Sequence, residues 1–135
     1  MKLRFMLMLM LAGCTPGGGH PEAEDPGVHH VASAAGTYQL WLRFPDPIPA
    51  NEEMMVEGWV RREGAPLPAG AHLDFDAGMP QHRHGLPVPA TLTVDEGGHF
   101  VAEGVRFHMG GKWLLMVDVT EGPYTERAQV WVEAP

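Results

Sequence analysis

The chain has 135 residues, a formal net charge of −8, 17 glycines and 13 prolines. That length allows one domain of ordinary size. The Gly and Pro content excludes a helical bundle or coiled coil and favours short strands joined by turns. No basic stripe is present, so neither nucleic acid nor an anionic lipid surface has electrostatic support as a partner.

The chain opens with basic Lys2 and Arg4, an apolar run from Phe5 to Leu11, and the small residues Ala12 and Gly13 before Cys14. This is the anatomy of a secretory signal over residues 1–13, too short to span a bilayer as a helix. Its removal takes two of the nine basic residues and brings the remaining chain to −10. Leu11-Ala12-Gly13-Cys14 resembles the lipobox of bacterial lipoproteins, which implies cleavage before Cys14 and lipidation of that cysteine. Because Cys14 is the only cysteine, the domain that follows has no disulfide and stands on its core alone.

Residues 14–35 are expected to be the lipidated cysteine and a disordered tether. Gly17-Gly18-Gly19, Pro16, Pro21, Pro26 and the acidic Glu22–Asp25 stretch offer too little apolar surface to offset ordering entropy. His20, His29 and His30 are read as solvated side chains of that tether. The domain is expected over residues 36–135.

Period-two alternation begins after Gly36. Tyr38, Leu40, Leu42 and Phe44 alternate with Thr37, Gln39, Trp41 and Arg43, as in a half-buried strand. Pro45 to Pro49 ends it, since proline lacks a ladder donor. A second strand is predicted over 54–61, a third over 72–76, a fourth over 91–94, a fifth over 99–107, a sixth over 113–120 and a seventh over 125–132. Loops are predicted over 77–89 and 108–111. About seven short strands at this spacing predict an all-β, immunoglobulin-like β-sandwich. With successive strands antiparallel, loops 45–52, 77–89 and 108–111 emerge at one end. The tether then enters from the opposite end, so these loops should point away from the membrane.

Two of these loops carry the chemistry. Gly78-Met79-Pro80-Gln81-His82-Arg83-His84-Gly85 and Phe107-His108-Met109-Gly110-Gly111-Lys112-Trp113 each pair imidazole with thioether between glycines. Thioether selects Cu(I), and imidazole suits both copper oxidation states. Met79, His82, His84, His108 and Met109 are therefore the candidate metal ligands, with Trp113 as a possible shield over the site. Asp74 and Asp76 rank second, as oxygen donors to a harder ion. Arg83 disfavours a cation unless it points outward. His72 and His99 alternate outward on their strands and are expected to be exposed.

These two loop motifs, with the early strand, resemble the YtkA-like domain family and its FixH-like relatives over about residues 36–133. The resemblance implies an immunoglobulin-like domain, exported or membrane-bound in bacteria. FixH-like relatives are tied to assembly of copper-containing oxidases, which directs attention to the same five Met and His positions. The expected function is a lipid-anchored, monomeric copper carrier or assembly factor of the bacterial cell envelope, on the periplasmic side of the inner or outer membrane, with a copper protein as partner. The alternative is a metal-free interaction module that uses Trp41, Trp59 and Trp131, if these share one exposed sheet face. An enzyme is not expected, because no nucleophile elbow or phosphate-cradling loop is present.

Overall fold

The computed structural model describes residues 19–135. Cys14 and the predicted signal lie outside the described residues. Ten strands run in chain order: β1 (Val28–Ala32), β2 (Tyr38–Arg43), β3 (Met54–Arg62), β4 (Ala65–Pro66), β5 (His72–Met79), β6 (His84–Gly85), β7 (Thr91–Val94), β8 (His99–Val105), β9 (Gly111–Glu121) and β10 (Tyr124–Ala134). They form two antiparallel sheets. The first has the order β1-β2-β3-β8-β7 with β4 beside β3, and the second has the order β10-β9-β5-β6. The chain is an all-β sandwich, as the alternation predicts.

Each inward set of residues meets the other sheet. Leu40, Leu42, Phe44, Val56, Val60, Phe100 and Ala102 from the first sheet join Leu73, Ala77, Met79, Trp113, Leu115, Val117 and Val132 from the second in one buried cluster. Gly58 on β3 lies under the Phe100 ring of β8. A Cβ there would fall 2.1 Å from Phe100 Cζ, so glycine is what lets the ring cross the strand.

Each predicted strand exists, and three short elements raise the count from seven to ten. β5 runs on to Met79, beyond the predicted end at 76, because Ala77 and Gly78 still pair with Leu115 and Leu114 of β9. The larger correction is at the N-terminal side. The disordered tether expected over 14–35 is, within its described part, an ordered segment: Val28–Ala32 forms β1 and pairs with Arg43–Gln39 of β2. An edge strand needs only one partner and one buried side. Here Val31 packs on the core and His29 meets Phe44 edge-on at 5.4 Å. A histidine in an inward position hides the period-two signal.

This strand also reverses the expected entry. β1 is antiparallel to β2, and the Phe44 N–H donates to the Gly27 carbonyl at 2.9 Å. The chain therefore enters the sandwich at the end that carries loops 45–52, 77–89 and 108–111, not at the opposite end. At that opposite end, the Glu126 carboxylate accepts from the Ser33 hydroxyl and from the Ala35 and Thr37 N–H groups. The Ser33 hydroxyl contributes most to holding its carboxyl below the usual range. Nearby, the Tyr38 hydroxyl donates to Glu121, which also receives Arg62 Nε at 2.9 Å. Burial first, then Glu121, pushes the phenol up to about 12.

Candidate functional site

The first Met/His loop is a tight return. Pro80 opens a 3-10 turn over Pro80–His82, where its fixed φ and missing N–H cost nothing. Arg83 closes the turn in the left-handed region, at φ 54°. β6 then folds back on β5, pairing Met79 with His84 and Gly78 with Gly85. A Cβ on Gly78 would lie 3.0 Å from the His84 carbonyl oxygen, so the approach is close. Directly opposed residues of an antiparallel pair share a face. His84 thus stands on the side of Met79, exposed where Met79 is buried.

The second loop is held from below. Trp113 is fully buried, stacks on Phe107 at 4.7 Å, and donates its indole N–H to the Met109 carbonyl at 2.9 Å. The Met109 side chain stays partly exposed. Met79 reaches under this loop, with its Cε 3.1 Å from where a Cβ on Gly111 would sit. Between the loops, Gln81 Nε2 donates to the Lys112 carbonyl at 3.0 Å.

The two loops bring three imidazoles into a row. The His84 and His108 ring centroids are 5.8 Å apart, and those of His82 and His84 are 6.4 Å apart. Two imidazoles on one metal ion, with bonds of about 2.0–2.1 Å, keep their centroids within about 6.5 Å of each other, a limit reached only when the two bonds are collinear. The His84–His108 pair falls inside that reach, and His82–His84 lies at its edge. His108 Nδ1 is buried with no hydrogen-bond partner, a condition that native interiors rarely leave uncompensated. Among the described residues no three His, Cys, Asp or Glu side chains gather as a metal-holding group. The soft donors that the two loops carry besides imidazole are the Met79 and Met109 thioethers. Trp113 lies edge-on to His108 at 5.5 Å and is a strut beneath the loop more than a cover over it.

The second-ranked oxygen donors do not converge on these loops. Asp74 pairs with His72 at 3.3 Å, and Asp76 accepts from the Ala77 N–H. Asp118, opposite Asp74 on β9, is taken by Arg127 at 2.7 and 2.9 Å.

The tryptophans separate. Trp41 and Trp59 sit opposite each other on β2 and β3 of the first sheet, while Trp131 is on β10 of the second. Trp41 is only 9% exposed, with the His20 and His30 rings stacked on it at 3.6 and 4.5 Å. Trp131 remains 53% exposed, beside a shallow groove of about 490 Å³ lined also by Gln81, Lys112, Val132 and Glu133. The single exposed tryptophan face does not form.

Sequence reasoning missed a row of rings across the first sheet. His30, Trp41, Trp59 and His99 are successive cross-strand partners on β1, β2, β3 and β8. His99 is not a solvated outward histidine. Its Nε2 meets Glu57 at 2.8 Å and its Nδ1 meets Asp95 at 3.0 Å. Desolvation is the largest single influence and opposes its charge, but the hydrogen bonds and charges of Asp95 and Glu57 together raise its pKa above the ordinary histidine value. Only the register could have revealed this row, because its members lie far apart in the chain.

Comparison with curated proteins and with solved structures finds no match. The YtkA-like family model matches residues 32–118, from the end of β1 into β9 and across both Met/His loops. The chain therefore belongs to the YtkA-like family.

Proposed function

We propose that this protein is a lipid-anchored copper-binding protein of the bacterial cell envelope, acting as a carrier or assembly factor and not as an enzyme. The observation that carries the reading is the buried, unpartnered Nδ1 of His108, 5.8 Å ring to ring from His84. Copper(I) accepts imidazole and thioether together, and this donor set suits it better than zinc, which more often takes thiolate or carboxylate. His84 and His108 are the core pair, Met79 is the buried soft donor, and His82 and Met109 are outer donors open to solvent. Phe107 and Trp113 keep water from the underside. The signal and Leu11-Ala12-Gly13-Cys14 support export and anchoring at Cys14.

A Cu(I) titration of residues 15–135 against a chromophoric chelator tests this, beside a His84→Ala/His108→Ala variant. The expected result is one-to-one binding, weakened in the variant by more than about tenfold, or 1.4 kcal/mol. Unchanged binding in the variant would move copper to His20, His29 and His30 and sink the loop-end site. A second reading, a metal-free interaction module, is favoured by one observation, the exposed Trp131 and its groove. It predicts that Trp131→Ala abolishes partner capture while the double histidine variant retains it.

A further inference from the structure

We infer that residues 19–27 are a strap that holds the outer face of the first sheet toward the membrane and leaves the outer face of the second sheet, with Trp131, turned to solvent. This inference rests on the lipid-anchor reading at Cys14.

The strap is seated at both ends. At its start, the His20 imidazole lies flat on Trp41, with centroids 3.6 Å apart and planes 11° apart. Pro21 behind it is buried. In its middle, Asp25 faces Arg43 of β2 at 3.7 Å, and its carbonyl accepts from the Val28 N–H at 3.1 Å. At its end, the Gly27 carbonyl accepts from Phe44. Gly27 has φ +75°, and a Cβ there would fall 2.4 Å from the Phe44 carbonyl oxygen. Glycine is what permits this approach.

The consequence is a matter of chain length. A free tether from Cys14 to Gly36 would extend to about 75 Å and let the domain present any face to the bilayer. With the strap seated, the first seated residues follow Gly19, which is five residues after Cys14. That length spans at most about 17 Å. Its attachment point lies above Trp41, on the outward side of the first sheet, whereas the second sheet packs about 10 Å further away on the other side. So short a leash keeps the first sheet on the near side and the Trp131 face on the far side. Glu22, Glu24 and Asp25 make the strap acidic, so it does not adhere to anionic headgroups. The leash, and not adhesion, sets the orientation.

The full-length lipidated chain, reconstituted in phosphatidylcholine vesicles containing a little acceptor-labelled lipid, provides the test. A fluorescent donor is placed by Met55→Cys on the outer face of β3, or by Gln129→Cys on the outer face of β10; both positions are exposed. Energy transfer should be stronger from position 55 than from 129, and adding anionic lipid should leave the difference intact. Adding His20→Ala and Asp25→Ala, which remove the strap's stacking on Trp41 and its ion pair with Arg43, should erase it. Equal transfer from both positions in the seated protein, or a difference that survives unseating, would overturn the inference. A chain that does not sediment with vesicles would instead sink the anchor reading, and the orientation falls with it.

Discussion

Replacing Trp113 with phenylalanine separates the strut beneath the second Met/His loop from the proposed ligands above it. The indole is fully buried, stacked on Phe107, and its N–H is bound to the Met109 carbonyl at 2.9 Å. Loss of its second ring leaves a void on the order of 40 Å³, which costs about 1 kcal/mol at 24 cal/mol per Å³. The lost hydrogen bond adds about 1 kcal/mol, at the low end because Met109 is partly exposed and its carbonyl can turn to water. The expected destabilisation is therefore about 2 kcal/mol, or a fall in Tm of roughly 10 °C for a domain of this size. Urea unfolding followed by circular dichroism measures it, since fluorescence would change with the substitution itself. The 108–111 loop should also lose amide protection ahead of β9 and β10, because its anchor is local. A loss below about 0.5 kcal/mol with loop protection unchanged would refute the strut.

Two further expectations follow from the packing and the charges. Gly58→Ala places a methyl group 2.1 Å from Phe100 Cζ and should cost about 1–3 kcal/mol by overpacking; adding Phe100→Leu should recover part of that loss, and a neutral Gly58→Ala in urea unfolding would show that β3 and β8 can spread apart. The raised His99 pKa has a fixed sign: its contribution is fully present below the unfolded value of about 6.5 and is lost as pH rises through the higher folded value. Neutral imidazole has one N–H, so it cannot donate to both Glu57 and Asp95. The stability difference between the parent protein and His99→Gln should therefore be larger at pH 5.5 than at pH 8.5, and a difference independent of pH would remove His99 from the titration.

The strand alternation of Tyr38–Phe44 and Met54–Arg61 was legible in the sequence because each side chain's face is fixed by the two-residue period of its own strand. Composition likewise settled the absence of a helical bundle, and the residue types of the two loops named the donors worth inspecting. What lay beyond reach was every relation between distant segments. Val28–Ala32 carried no readable pattern, since His29 and His30 occupy both faces of a short edge strand, and only the partner strand β2 makes it a strand. His84 and His108 are neighbours because β5, β6 and β9 share a sheet, and His108 Nδ1 is orphaned because Phe107 and Trp113 fill the space beneath it. The tryptophans illustrate the same division. Their outward alternation was local and readable, but whether an outward ring meets water was decided by His20, His30 and the sheet to which each strand belongs. A sequence specifies which side a residue faces through bonds a few atoms long; what waits on that side is set by the closure of the whole chain.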